Sequence, residues 1–319
     1  MAINTMAKNN IKSLISITDF SKEEITDVLD LAGDFKTEYN TKHRHMTKSL
    51  ADTIIALLFF EPSTRTHNSF GAAAQRLGAQ TREMSGTDGT SVAKGESFHD
   101  TIMTFAQYVD LIVMRNPWDG SARYAAELQN EVPVINAGDG ANQHPTQTLL
   151  DLFSIRETQG GLDGLHIMMV GDLKYGRTVH SLVHAMSEYK TTFTFVSPPE
   201  LKLPGEYKSI LSDKGLEFFE ETDLAANMAR ADIIYATRIQ RERFPDIMEY
   251  EKVKNAYVIT NDTLGESKET ARLLHPLPRV NEIAPEVDEN PKAYYFRQAQ
   301  NGMFVRMALM TRLVNGKQG

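Results

Sequence analysis

The run Ile54-Ile55-Ala56-Leu57-Leu58-Phe59-Phe60 is apolar at every position, with no alternation to mark a solvent-facing side. Such a pattern suits a strand covered on both faces, as in a parallel sheet. It breaks at Glu61-Pro62, and a helical pattern begins within Ser63-Thr64-Arg65-Thr66. The same alternation recurs along the chain. Strands are predicted over 53–60, 110–114 and 132–136, with helices over 64–77, 97–108 and 121–130. Further strands are predicted over 165–170, 192–196, 232–236 and 256–260, with helical stretches over 176–189 and 223–229. Strand–helix alternation predicts an α/β fold of two doubly wound domains, each a central, mainly parallel sheet flanked by helices.

A connecting helix is predicted over 145–157, and turn residues at 159–164 punctuate the middle of the chain. The expected division is a first domain of 1–150 joined by a C-terminal helix of about 293–319, and a second domain of 151–292. That last helix carries Phe296, Ala299, Met303, Met307 and Met310 at a spacing that fits one buried face. It is expected to pack back on the first domain.

The length of 319 residues is more than one core usually serves, which agrees with two domains. No apolar run approaches the roughly 20 residues of a membrane helix, and the first residues lack a secretory pattern. A cytoplasmic protein is expected. There is no cysteine, hence no disulfide, thiolate nucleophile or cysteine-held metal. A net charge of −8 argues against broad nucleic-acid binding and makes local clusters of cations more telling.

Those clusters fall just past predicted strands. Ser63-Thr64-Arg65-Thr66 follows the first; Arg115 follows 110–113; Gln143-His144-Pro145-Thr146-Gln147 follows 132–136 and opens a helix. Arg177 and Thr178 follow 165–170 at another helix start, and Arg238 and Gln240 follow 232–236. Ligands of parallel α/β sheets bind at the carboxyl ends of strands, where helix N-termini favour anions. A hydroxyl there can equally be a simple N-cap, and a lone arginine a surface ion pair. Repetition of the theme in an acidic chain points to a small molecule bearing two or three negative charges. His180 and His184, four residues apart, lack the glutamate of a metalloprotease helix and any evident third ligand, so no metal is expected. The loop 171–176 lacks the glycine spacing of a dinucleotide site. Lys94-Gly95-Glu96 alone reads as a turn, and His275-Pro276-Leu277-Pro278-Arg279 as a rigid corner able to position a carbonyl.

Taken together, these segments resemble the aspartate carbamoyltransferase family over about 15–313, with motifs in the family's order. Phe60-Glu61-Pro62-Ser63-Thr64-Arg65-Thr66 and His144-Pro145-Thr146-Gln147 are similar to the carbamoyl phosphate motifs of carbamoyltransferases generally. His275-Pro276-Leu277-Pro278-Arg279 and Thr237-Arg238-Ile239-Gln240 resemble the aspartate rather than the ornithine branch. The resemblance implies carbamoyl transfer from carbamoyl phosphate to the amine of L-aspartate, without a cofactor. It implies that Ser63, Thr64, Arg65 and Thr66 hold phosphate, and that Thr66, Arg115 and His144 stabilise the carbamoyl oxygen. Gln147 and the backbone at Pro276, Leu277 and Pro278 would orient the carbamoyl nitrogen. Arg177, Thr178, Arg238, Gln240 and Leu277 would bind aspartate. Ser91 and Lys94 match a loop that reaches the neighbouring subunit's site, implying a homotrimer with shared active sites. Lys94 would touch both substrates. Glu61 and 240–245 match positions involved in closing the domains. A separate regulatory chain is a possible further partner. Two departures stand out: His67 replaces the usual arginine after Thr66, and Gly71 replaces the usual glutamate after Ser69-Phe70.

Overall fold

A computed structural model of the chain describes residues 13–42, 47–239, 241, 244, 246–254 and 256–316. It divides into two compact units, Met1–Thr146 with Gly302–Gly319, and Gln147–Asn301.

The first unit contains α1 (Lys22–Thr41), β1 (Ile54–Phe59), α2 (Thr64–Arg76), β2 (Gln80–Ser85), α3 (Phe98–Ala106), β3 (Leu111–Asn116), α4 (Ser121–Leu128) and β4 (Val134–Asp139). The strands form a parallel sheet in the order β2-β1-β3-β4. β1 and β3 occupy the interior of the sheet and are apolar because helices cover both faces. β2, Gln80-Thr81-Arg82-Glu83-Met84-Ser85, was not foreseen. It is an edge strand with Met84 as its one buried side chain, so it carries no apolar run to read. An earlier segment extends the other edge: the Leu14 N–H donates to the Val134 carbonyl, and the Asn136 N–H to the Leu14 carbonyl.

The second unit contains β5 (His166–Val170), α6 (Arg177–Met186), β6 (Thr192–Val196), α7 (Gly205–Asp213), β7 (Phe218–Glu221), β8 (Ile233–Ala236), α8 (Ile247–Val253), α9 (Asn261–Gly265) and β9 (Arg272–Leu274). Its sheet is also parallel, in the order β7-β6-β5-β8-β9. Two further helices, α5 (Pro145–Gln159) and α10 (Tyr295–Asn315), run through the boundaries of the two units. The fold is the α/β arrangement that the hydrophobic pattern predicts.

Two expectations need correction. The stretch 256–260 is not a strand; Ile259 alone bridges to Ile283, while Val258 is exposed and Thr260 caps α9. The helical stretch expected over 223–229 is a 3-10 helix, Ala225–Arg230. The buried stripe of α10 is also not the one expected. Phe296 is 57% exposed, and the inward residues of that first part are Tyr295, Gln298 and Asn301. The reason lies in α5, whose buried Asp151 and Ser154 require amide donors opposite them: Gln298 Nε2 donates to Asp151 Oδ1 at 2.6 Å, and Asn301 Nδ2 to Ser154 Oγ at 3.0 Å. The remainder of α10 is buried nearly all round from Phe304 to Met310 and packs on the first unit. There Arg306 lies 4.9 Å over the Phe70 ring, and its Nη1 donates to Ser69 Oγ at 2.8 Å.

Candidate active site

Strand order creates a switch point in each sheet. The connections after β1 and β3 lead to opposite edges of the sheet in the first unit, so a crevice is expected between β1 and β3. In the second it falls between β5 and β8. The sequence-predicted arginines leave those strands.

In the first unit, β1 ends at Phe59 and α2 opens at Thr64. Ser63 stands at the N-cap with φ −155° and ψ 96°, yet its hydroxyl makes no capping bond, which disposes of the plain capping role. The first-turn amides have no partner within the helix, as at any helix start. Thr64 and Arg65 are exposed, while Thr66 is buried. Phe59 is in register with Arg115 across β1 and β3, and the Phe60 N–H donates to the Arg115 carbonyl at 2.8 Å. Arg115 closes β3. Its Nε donates to Glu61 Oε1 at 2.6 Å and its Nη1 to the Ala137 carbonyl at 3.5 Å. One carboxylate thus steers the guanidinium from the β1 exit.

His144 is carried by the loop after β4, and this loop is organised by the buried carboxylate of Asp139. That group accepts from the Gly120 N–H, the Asn136 and Asn142 amides and the Gln143 N–H, all within 3.0 Å. His144 is itself buried, with Nδ1 3.5 Å from Thr146 Oγ1. Ser91 stands just before a 3-10 turn beyond β2 and Lys94 is its last residue, and both are exposed. Ser63 to Thr66, Arg115, His144, Ser91 and Lys94 therefore all leave the carboxyl edge of one sheet.

In the second unit, Gly171 leaves β5 with φ +114°, and a β-carbon there would lie 2.3 Å from the Thr237 carbonyl oxygen at the β8 exit. Only glycine permits this approach. Arg177 and Thr178 form the first turn of α6, and Arg238 follows Thr237. His180 Nε2 donates to the Leu173 carbonyl at 2.9 Å and the ring stacks 4.2 Å from Tyr207, so this histidine braces the loop before Arg177. Burial lowers its pKa, partly offset by the Leu173 carbonyl. Gln240, Glu242, Arg243 and Pro245 lie outside the described residues.

β9 leads into His275-Pro276-Leu277-Pro278, where Leu277 has φ +58° and precedes a cis proline. His275 Nδ1 accepts the Leu277 N–H at 2.8 Å, which leaves the proton on Nε2 to be donated to Glu282 Oε1 at 2.7 Å. Burial pushes the Glu282 carboxyl up, but the His275 hydrogen bond and backbone N–H groups outweigh it and hold the pKa below its usual value. Gln147, one turn before Asp151 on α5, donates from Nε2 to Asp151 Oδ1 at 2.9 Å. Tyr235 donates to Asp151 Oδ2 at 2.8 Å. Its hydroxyl pKa is pushed well up by burial and by the Asp151 charge, against a hydrogen bond with Thr178.

Two family profiles account for most of the chain. The aspartate/ornithine carbamoyltransferase carbamoyl-P binding domain matches residues 12–157, and the Asp/Orn binding domain of the same group matches 163–313. The chain belongs to the aspartate/ornithine carbamoyltransferase family. It is similar to the aspartate carbamoyltransferase catalytic subunit of Parabacteroides distasonis, 54% identical over 304 residues, which are 95% of this chain and 97% of that one. A subunit of the same name from Methanosarcina acetivorans is 52% identical over 299 residues, 94% of this chain and 96% of its own. Among solved structures, the catalytic subunit of M. jannaschii aspartate transcarbamoylase is similar with a TM-score of 0.90 at 48% identity, covering 97% of this chain and 99% of that one. Aspartate transcarbamoylase from Trypanosoma cruzi, in complex with carbamoyl phosphate and aspartate, gives 0.87 at 35% identity over 95% of this chain and 96% of that one.

Within this carbamoyltransferase, both departures from the family pattern pack against β1. His67 packs edge-on against Phe59, with centroids 4.7 Å apart, and its Nε2 lies 3.4 Å from Glu83 of β2. Gly71 faces Leu57, with room for a methyl group. Sequence reasoning missed Asp139, Asp151, Tyr235, Glu282 and Gln298. Only the four-residue spacing of Gln147 and Asp151 offered a signal, and it is shared with countless ordinary helices.

Proposed function

We propose that the chain is an aspartate carbamoyltransferase (EC 2.1.3.2). It transfers the carbamoyl group of carbamoyl phosphate to the amine of L-aspartate, giving N-carbamoyl-L-aspartate and phosphate in de novo pyrimidine (UMP) synthesis. The observation that carries this reading is the placement of arginines and hydroxyls at the exits flanking both switch points, Arg65 and Arg115 in one sheet, Arg177 and Arg238 in the other. Relatives named as aspartate carbamoyltransferases over nearly their full length support it.

In this reading Ser63, Thr64, Arg65 and Thr66 hold the phosphate through hydroxyls, helix-start amides and a guanidinium. Thr66, Arg115 and His144 donate to the carbamoyl oxygen. The neutral aspartate amine attacks the carbamoyl carbon, that oxygen gains negative charge, and the bond to phosphate oxygen then breaks. Donors fixed before the reaction lower the barrier most, and the Glu61 contact holds Arg115 in that role. The departing phosphate is basic enough to take the amine proton. Gln147 and the backbone from Pro276 to Pro278 accept from the carbamoyl nitrogen. Arg177, Thr178, Arg238, Gln240 and Leu277 bind aspartate, its two carboxylates suiting paired guanidinium forks. Holding two anions together supplies much of the acceleration.

The assembly in this reading is a homotrimer in which exposed Ser91 and Lys94 complete a neighbour's site, with Lys94 touching both substrates. The name "catalytic subunit" borne by the relatives leaves room for a separate regulatory chain. A cytoplasmic location belongs to the same reading; among the described residues no helix is long and apolar enough to cross a membrane.

The test supplies labelled carbamoyl phosphate with aspartate or ornithine in parallel. Carbamoyl-aspartate as the product, together with tight inhibition by N-(phosphonacetyl)-L-aspartate, is expected. Citrulline as the main product, or no transfer at all, would overturn the assignment. Mixing Lys94→Ala with Arg65→Ala protein should restore part of the activity if sites are shared. Proven subunit exchange without recovery would reject the shared arrangement.

A further inference from the structure

Asp151 is fully buried on α5 and is far more connected than any role assigned so far requires. Its Oδ1 accepts Gln147 Nε2 at 2.9 Å and Gln298 Nε2 at 2.6 Å, and its Oδ2 accepts the Tyr235 hydroxyl at 2.8 Å. Each line leads to a residue of the proposed site. Tyr235 is also hydrogen-bonded with Thr178. Gln298 Oε1 accepts the His275 N–H at 2.8 Å, and His275 Nδ1 in turn accepts the Leu277 N–H. Gln147 is held directly.

The chemistry of a carboxylate makes this more than scaffolding. An ionised carboxylate accepts hydrogen bonds and donates none, so the amide of Gln147 can meet it only through Nε2. Oε1 is thereby left as the acceptor that Gln147 can offer to a ligand. An amide rotated the other way would present N–H groups instead, and those repel a substrate –NH2. The same logic fixes Gln298: with Nε2 on Asp151, its Oε1 is the atom available to the His275 N–H, and the Pro276-Leu277 backbone follows.

We propose that Asp151 is a positioning residue that sets the orientation of the Gln147 amide, so that the site accepts hydrogen bonds from a carbamoyl nitrogen and discriminates against acyl phosphates that lack one. This rests on the reading that Gln147 faces that nitrogen.

The discriminating probe is acetyl phosphate, which matches carbamoyl phosphate in shape and charge but carries methyl in place of –NH2. Asp151→Asn keeps the volume yet gives the residue a donor face, which releases Gln147 to turn. Expected is a loss of carbamoyl phosphate affinity of about tenfold, the scale of one hydrogen bond to a buried amide. Inhibition by acetyl phosphate should change by less than about twofold, near the resolution of such a measurement. Gln147→Ala should show the same selectivity, and the double variant should lose no more than either single one. Equal losses for both phosphates, or no loss for either, would overturn the role of Asp151. If Gln147→Ala itself fails to separate the two ligands, the underlying reading of Gln147 falls. If it separates them while Asp151→Asn does not, the Asp151 proposal alone falls.

A measurement on the unaltered protein guards against an asparagine variant that does not fold. With 15N-glutamine labelling, the Gln147 side-chain amide protons, assigned by their loss in Gln147→Ala, should be protected from exchange. They should stay so when phosphonoacetamide, a stable carbamoyl phosphate mimic, is added. Rapid exchange, or loss of protection on adding the mimic, would overturn the proposal.

Discussion

The two sheets present their site residues in different ways. On the first, Thr64, Arg65, Ser91 and Lys94 stand exposed at strand exits, and Glu61 braces Arg115. On the second, Gln147, Thr178 and Leu277 are tied into buried polar partners: Asp151, Tyr235, Gln298, His275 and Glu282. In the proposed reading, the difference follows from what each must recognise. A phosphate accepts from any donor, and a helix start with nearby cations supplies donors without detailed aim. An amide nitrogen and a particular carboxylate geometry require acceptors and donors turned the right way, and that orientation needs a supporting layer.

The contrast can be broken at either end. Arg115→Ala should have the largest effect, lowering kcat by about 10²–10³-fold, the usual loss for one donor to a developing oxyanion. Steady-state kinetics with both substrates checks this, and a change below tenfold would remove Arg115 from that role. Gly171→Ala comes next. The β-carbon must displace the Thr237 carbonyl in a left-handed conformation, so unfolding free energy should fall by about 2–3 kcal/mol. Aspartate affinity should suffer more than carbamoyl phosphate affinity, because Arg238 follows Thr237.

Glu282→Gln sharpens the comparison through pH. Its pKa is held below the ordinary value of 4.5, so its stabilisation is present above that value and is lost as pH falls through the lower folded one. Wild type and variant should differ by about 2 kcal/mol in urea unfolding near neutrality, the scale of a charged hydrogen bond. The gap should close as the pH is taken into the acid range below 4.5. A gap constant with pH would show that the charge of Glu282 is not what matters. The smallest effect belongs to Gly71→Ala on α2, where only Leu57 Cδ1 comes within 4.0 Å of the added methyl. A helix-interior alanine should raise stability by about 0.5–1 kcal/mol and leave kinetics unchanged.

Legibility in the sequence tracked burial. β1 could be read because every residue is apolar, whereas β2 could not, because an edge strand such as Thr81-Arg82-Glu83 carries no pattern. The stretch 256–260 looked like β1 in miniature, but with Ala256 and Val258 exposed it had no second face to bury. In α10 the apolar spacing misled because Gln298 and Asn301 point inward to meet Asp151 and Ser154. Strand exits located candidate residues such as Arg115 and Arg177. Their supporting groups come from distant segments and have no local signature: Asp151 and Gln298 are 147 positions apart.

The segment Ser13-Leu14-Ile15, ahead of α1, acts beyond its own edge of the sheet. Ser13, Leu14 and Ile15 add a rung to β4, and the Ile15 carbonyl accepts from the Asn136 amide, whose Nδ2 also donates to Asp139. Asp139 shapes the turn that delivers His144. A protease nick just after Ile15 would therefore loosen a latch more than a hundred positions away, dulling the imidazole without touching a single substrate ligand.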